Sequence, residues 1–296
     1  MTAVEARLRA VFDEAGVEGF LFARDIDGDA SVGLAQDAAV VLASVFKIPV
    51  ALCYARAAAA GTVSRTERLS VEDRFRDGGI GTSGCADPVE MSLRDLVLMM
   101  LTMSDNAATD VVLERVGLDA VNGLLAELGR TRTHLIGGCV ELLGSLAADL
   151  GVATAEEGEA VLAALPPEKV MELSVCVPER TTRGTARDIA ELLAQIWRDE
   201  AGPAEACEEL RGVLARQIWP HRLSSGFDDS YRVAGKTGTL PGWRNEAGVV
   251  EHPDGGRYAV AVFTRCGRPD FRNPAADQAI GKAAKIAVDA LRSHTV

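Results

Sequence analysis

The first sixteen residues carry an apolar period of 3.6. Val4, Leu8, Val11 and Phe12 fall on one helical face and the charges on the other, which predicts a helix ending near Gly16. The period then shortens. Residues 17–24 (VEGFLFAR) and 38–43 (AAVVLA) are strand-like, Asp25-Ile26-Asp27-Gly28 is turn chemistry, and residues 30–34 are placed to pair back as a second hairpin strand. Residues 45–60 are alanine-rich and apolar nearly all round, which predicts a helix inside the protein, stopped by Gly61. Residues 72–90 are rich in Gly, Asp and Thr and predict an irregular surface stretch. Ser92 is a good N-cap for a helix over 93–102. Helical pattern resumes over 107–128 with a break near Gly117, and over 139–175 with a break at Pro166-Pro167. Thr182 or Thr185 opens a further helix running to Trp197. Alternation returns at 231–234, 245–251 and 258–264, with Asp254-Gly255-Gly256 as a hairpin turn, and residues 275–291 close the chain as a helix.

Strands at both ends with helices between them predict an α/β (α+β) fold. One antiparallel sheet is built from both termini, and a mostly helical lobe is inserted between its halves. The expected organisation is a single domain over 1–296, with an α/β lobe of about 1–43 and 225–296 and a helical lobe of about 44–224.

Composition narrows the functional classes. Apolar residues make up 48% of the chain, enough for a large core. The net charge of -12 repels phosphate backbones, so nucleic acid is not an expected partner. No apolar run is long enough to span a membrane, and the N-terminus lacks the apolar core of an export signal; the expectation is a cytoplasmic protein without a membrane partner. The six cysteines form no C-x-x-C pair and are expected as reduced thiols. The four histidines show no metal-ligand spacing, and neither a metal site nor a cofactor is expected.

Three short motifs carry chemistry. Ser44-Val45-Phe46-Lys47 is an S-x-x-K, which on a helix puts hydroxyl and amine on one face. A serine hydroxyl needs a base to become a nucleophile. A lysine buried among apolar residues is disfavoured in its charged form and can be that base. The first turn also offers free N–H groups for an oxyanion. With thirteen serines and five lysines in 296 residues, roughly 0.2 such matches arise by chance, so the motif alone is weak. Ser104-Asp105-Asn106 follows the helix LVLMMLTM, where it can aim a hydroxyl and an amide into a cleft or simply cap the next helix. Lys236-Thr237-Gly238-Thr239 follows the strand-like YRVAG and precedes a hairpin ending in Arg244-Asn245. Gly238 permits close backbone approach, and Lys236 with Arg244 would make a cationic pocket suited to a carboxylate, the alternative being a turn with solvated charges.

S-x-x-K, S-D-N and K-T-G in this order are the signature set of class A β-lactamases and penicillin-binding proteins, which this chain resembles. The spacings also resemble the class A type, about 60 residues from Ser44 to Ser104 and about 130 from Asn106 to Lys236. The segments LTMSDNAATDVVLERVG, TTRGTARDIAELL and WRNEAGVVEHPDGGRYAVAVFT extend the similarity over nearly the whole chain. The resemblance implies a β-lactamase/transpeptidase-like fold and a serine acyl-enzyme hydrolase that opens a β-lactam or related cyclic amide or ester. It implies Ser44 as nucleophile, Lys47 as proton acceptor, and Ser104 with Lys236 passing a proton to the leaving group. Asn106 would bind a substrate amide, and the backbone N–H groups of Ser44 and Thr239 would form the oxyanion hole. Thr237, Gly238, Thr239 and Arg244 would line the site of a carboxylate-bearing small molecule, although Arg244 arrives one residue early.

Two departures stand out. The E-x-x-L-N run that supplies the family's deacylating glutamate is missing; its place falls near Cys139, which leaves Glu141 as the candidate base ahead of Glu157 and Glu179. The stretch from Asn106 to Thr181 is longer than the family usually has by roughly 25 residues and is expected to form a helical cover over the cleft. Without a base, water attack on an acyl-enzyme slows by on the order of 10²–10⁴-fold. Two other readings follow: a cytosolic biosynthetic esterase or acyltransferase with poor lactam turnover, and a non-catalytic ligand-binding relative.

Overall fold

The computed structural model describes residues 2–76, 79–153, 155–268, 270 and 272–293, and for residues 155 and 156 the backbone only. Parts of the irregular 72–90 stretch, one residue of the predicted 139–175 helical run, and His294 of the four histidines lie outside the described residues.

Helix α1 (Ala3–Glu14) starts on a capping box in which Thr2 and Glu5 each satisfy the other's backbone N–H, and it buries Leu8 and Phe12. Strands β1 (Val17–Asp25) and β2 (Ser31–Leu34) form the first hairpin. The strand-like 38–43 stretch yields only β3 (Val40–Val41). A 3-10 turn over Ala43–Phe46 leads into α2 (Lys47–Ala59), whose residues are buried on nearly every side. Strands β4 (Arg68–Val71) and β5 (Val89–Ser92) form a small separate hairpin around the irregular stretch. Helices α3 (Leu93–Thr102), α4 (Asn106–Val116) and α5 (Leu118–Glu127) follow, with Ser92 capping α3 and the break at Gly117. The long stretch holds α6 (Cys139–Leu150), α7 (Ala155–Ala164) and α8 (Pro167–Val170). Then come β6 (Arg183–Gly184), α9 (Ala186–Trp197) capped by Thr185, and α10 (Ala204–Leu214). Strands β7 (Arg232–Leu240), β8 (Trp243–Glu251) and β9 (Arg257–Cys266) and helix α11 (Pro274–Ser293) complete the chain.

Among the described residues the main sheet has five antiparallel strands in the order β2-β1-β9-β8-β7, so strands from both termini share one sheet. The pairing of β1 with β9, far apart in sequence, is what welds them. Residues 38–43 do not join this sheet: β3 pairs with β6. One sheet face packs against the helices between, through Phe20, Phe22, Val249, Ala261 and Phe263. The other packs against α1 and α11, through Leu21, Val250, Val260 and Val262. This is the alternation that a two-sided antiparallel sheet requires.

The extra length is not a cover over the Ser44 cleft. Its helices enclose a small core of their own around Val170, Leu173, Val175 and Cys176, packed against Leu240. Trp243 Nε1 donates to Cys176 O at 3.0 Å, and Cys176 Sγ donates to Pro241 O at 3.1 Å. The insertion is therefore fixed to the β7–β8 turn, and none of its described residues lines the cleft containing Ser44. Among the described residues no helix is long and apolar enough to cross a membrane.

Candidate active site

The nucleophile candidate sits where two structural units are pressed together. Ala43, immediately before Ser44, has φ +47°, a left-handed conformation rare for a residue with a Cβ. Asn245, fully buried on β8, donates from Nδ2 to Val41 O at 2.9 Å and to Leu42 O at 3.2 Å, clamping the segment that delivers Ser44. Gly238 lies against that segment: a Cβ there would stand 2.8 Å from Leu42 O and 3.1 Å from Ser44 N. Only glycine allows the two backbones this approach. The Lys236–Thr239 motif is part of edge strand β7 rather than a turn after it, so its outer backbone edge faces the cleft. Ser44 lines a cleft of about 720 Å³ together with Ser104, Asn106, Thr237, Gly238 and Thr239.

Behind that cleft are two fully buried lysines, Lys47 and Lys236. Lys47 Nζ donates to Ser104 O at 2.8 Å, to Ser104 Oγ at 3.2 Å and to Asn106 Oδ1 at 2.9 Å. Ser104 turns both oxygens toward it by adopting φ +67° between α3 and α4. Strained residues of this kind cost about 1–3 kcal/mol each and persist where the surroundings hold them. Of the three partners only the Ser104 hydroxyl can reverse and become a donor, so it is the group able to pass a proton to or from the amine. Asp105 of the same motif is structural: it caps α4 through Ala108 N and holds Thr82 through that residue's amide and hydroxyl. Burial pushes Lys47 below its ordinary lysine value, and Lys236 is pushed well below by burial and then by the charge of Lys47. Burial and the mutual repulsion of the two amines both disfavour the doubly protonated state.

The cationic end of the cleft differs from the expected Lys236–Arg244 pair. Lys236 is fully buried behind the cleft and donates to Thr237 O at 2.9 Å. Arg244 is joined instead by Arg222, which the motif reading did not single out. Arg222 Nε and Arg244 Nη2 each meet Asp277 of α11 at 2.7 Å. Arg222 further donates to Gly238 O, Asn245 O and Thr239 Oγ1 at 2.7–2.9 Å. Two guanidinium groups around one carboxylate leave a net positive charge beside Thr237 and Thr239. The assembly depends on α11 lying backbone-to-backbone on the 223–226 turn, where a Cβ on Gly281 would stand 2.6 Å from Arg222 O. No local pattern around Arg222 marks it in the sequence; only the β7–β8 hairpin and α11 bring it there.

The candidate base Glu141 is corrected by the structure. Its carboxylate accepts from Gly138 N at 2.7 Å as the third residue of α6, and it lines a separate cleft of about 390 Å³ with Arg74 and Glu114. Glu157 accepts from Ala153 N at the start of α7, and Glu179 is exposed on a 3-10 turn. The group beside Lys47 and Asn106 is Cys139, whose Sγ lies 3.3 Å from Asn106 Oδ1. Burial pushes its thiol up to about 11, so it is a neutral donor and not a base at pH 7. Asp110 fixes this arrangement by accepting from Cys139 N at 2.6 Å and Val140 N at 3.0 Å. Among the described residues no cluster of metal-ligating side chains occurs.

Comparison with known proteins places this geometry in context. The family described as Beta-lactamase2, beta-lactamase enzyme family, matches residues 3–291. A curated relative, the beta-lactamase regulatory protein BlaB of Streptomyces cacaoi, is 28% identical over 303 residues, covering 96% of each chain. A beta-lactamase from Sphaerobacter thermophilus DSM 20745 superposes with a TM-score of 0.78 at 27% identity, covering 98% of this chain and 97% of that one. A variant of PBP-A solved as an acyl-enzyme complex with penicillin G superposes with a TM-score of 0.79 at 20% identity, covering 99% and 97%.

Proposed function

The chain belongs to the beta-lactamase enzyme family, and on that premise we propose that Ser44 forms an acyl-enzyme with a β-lactam or related cyclic amide, with fast acylation and slow deacylation. The observation that carries the reading is the convergence of Lys47 Nζ on Ser104 and Asn106 behind a Ser44 whose amide abuts Gly238. Lys47 as free amine takes the Ser44 proton as Oγ attacks the carbonyl. The Ser44 and Thr239 amides receive the oxyanion. Ser104 returns the proton from Lys47 to the leaving nitrogen. The substrate is a small molecule whose carboxylate lies against Thr237, Thr239 and the Arg222–Arg244 pair.

Slow deacylation rests on Cys139, a neutral thiol where the family resemblance calls for a carboxylate. A stable adduct suits a protein that responds to the lactam rather than clearing it, and a relative named as a regulatory protein is compatible with that use. The test is time-resolved intact mass of the protein mixed with a penicillin, with Ser44→Ala as control. The expected result is a Ser44-dependent adduct that outlasts free penicillin. Rapid loss of the adduct with accumulating hydrolysed penicillin would make the protein a lactamase. Absence of both adduct and product would overturn the reading in favour of another acyl donor or reversible binding.

A further inference from the structure

Among the buried carboxylates that the proposed chemistry leaves unused is Glu246. Glu246 on β8 has no exposed surface and pairs in register with Thr237 on β7. Both of its oxygens accept N–H donors: Oε1 from Gln217 Nε2 at 2.6 Å, and Oε2 from Leu223 N at 2.7 Å. The other end of the Gln217 amide, Oε1, accepts from Thr237 N at 2.7 Å. One residue on, Ile218 N donates to Thr102 O at 3.1 Å, two residues before Ser104. Residues 217–223 therefore run as a strap from the K-T-G strand to the S-D-N turn, and they carry Trp219, His221 and Arg222 into the cleft.

We propose that Glu246 and Gln217 are positioning residues: the chain Thr237 N–H to Gln217 to Glu246 holds the 217–223 strap in the orientation that binds substrate, and does so only while Glu246 is ionised. The inference rests on the reading of Ser44 as the acylation site. Its warrant is the direction of the hydrogen bonds. A proton on Oε1 would confront the Gln217 amide N–H, and a proton on Oε2 would confront the Leu223 N–H. Turning the Gln217 amide round would relieve the first clash but set its NH₂ against the Thr237 N–H. Protonation thus breaks the chain at one link wherever it occurs, and a buried donor is left without an acceptor.

The charged groups facing Glu246 are Arg222 from the strap and Lys236 from β7, with Asp277 of α11 beyond Arg222. Burial nevertheless pushes its carboxyl up to about 7 from 4.5, so it titrates near neutrality. The sign of the linkage separates stability from competence. A raised value contributes stability that is full below about 4.5 and is lost as pH rises through about 7. Acidification therefore favours the fold at this position while it loosens the strap. A merely structural role would make activity follow stability.

The experiment measures penicillin acylation of the intact protein by mass between about pH 8.5 and about pH 5.5, in wild type, Glu246→Gln and Gln217→Ala. Hydrogen exchange of peptides spanning the strap and β7 is measured on the same samples without penicillin. In wild type the apparent affinity for penicillin should weaken as pH drops through about 7, separately from any fall in the limiting rate, which follows protonation of Lys47. Both variants should lower the second-order acylation constant by about tenfold at high pH, lose the acid weakening of apparent affinity, and speed exchange in the strap selectively. A wild-type affinity flat with pH, an acid weakening of affinity retained in Glu246→Gln, or unchanged strap exchange would overturn the proposal. If Glu246→Gln does not fold, the half-buried Gln217→Ala carries the test. If wild type is not acylated at all, the Ser44 reading fails, while the exchange arm still decides the strap.

Discussion

Replacing Gly238 with alanine probes the proposed oxyanion frame with a single methyl group. The new Cβ would meet Leu42 O at 2.8 Å, Ala43 Cβ at 3.1 Å and Ser44 N at 3.1 Å, whereas ordinary contacts begin near 3.4 Å. Relief of the tightest contact needs a separation of about 0.6 Å between β7 and the Ser44 turn. Backbone conformation adds no penalty, since Gly238 is not among the residues with positive φ. A hydrogen bond from the Thr239 amide set at about 2.9 Å would stretch to about 3.5 Å, the edge of useful geometry. Loss of one oxyanion donor costs on the order of 10²–10³ in rate, against about 1–3 kcal/mol of stability for the overpacking itself. The assay is the limiting rate of penicillin acylation by intact mass, paired with urea denaturation to confirm that the variant is folded. The expected outcome is a folded protein acylated on the order of 10²-fold more slowly. A folded variant acylated within about twofold of wild type would refute the claim that the 238–239 backbone and the Ser44 amide form one rigid frame.

Two further predictions follow from groups around the cleft. Cys139→Glu puts a carboxylate beside Lys47 and Asn106 and should speed loss of the acyl mass by about 10²–10⁴-fold, at a cost of about 1–3 kcal/mol for added volume at a buried site. An unchanged adduct lifetime would mean that water does not approach from that side. Burial alone would raise Asp277, but the bonds from Arg244 and Arg222 hold its carboxyl below 3.8. A depressed value contributes stability present above about 3.8 and lost as pH falls through the folded value, so wild type should lose this increment below about pH 4. Asp277→Asn should lower stability at pH 7 by about 3–5 kcal/mol, because two buried guanidinium groups lose their counter-charge, and should flatten that acid loss; denaturant titration at both pH values checks it.

Period and capping made the elements near both ends legible. The 3.6-residue stripe of α1, the Ser92 cap of α3, the Thr185 cap of α9 and the Asp254-Gly255-Gly256 turn all stand where local chemistry put them. Helix α10 was not anticipated: its AEACEELRGVL buries only Ala206, Cys207, Leu210 and Leu214, a narrow stripe that tertiary packing completes. Residues 38–43 carry strand character yet serve mainly as a held segment, because Asn245 and β6 take their backbone groups. At the site, S-x-x-K and S-D-N point to Lys47, Ser104 and Asn106 because those residues sit at helix starts, where sequence distance maps directly onto space. Arg222, Asp277, Gln217 and Glu246 escaped because each acts on a partner supplied by another element. The place of the missing E-x-x-L-N run points to the neighbourhood of Cys139, but not to which way Glu141 faces, since that depends on its use as an N-terminal cap of α6.

The Asn245 clamp has a consequence for how the protein comes into being. Its two hydrogen bonds reach back across 204 and 203 residues to the segment that presents Ser44. Contacts of such sequence separation form late, because a long loop must close before they return any free energy. During synthesis the serine emerges well before β7 and β8, the strands that frame it. A growing chain therefore carries the Ser44 hydroxyl without Gly238 and Asn245 against its segment until β7 and β8 have been made. On the proposed acylation of Ser44, covalent labelling would report the docking of β7 and β8 as well as the presence of the ligand.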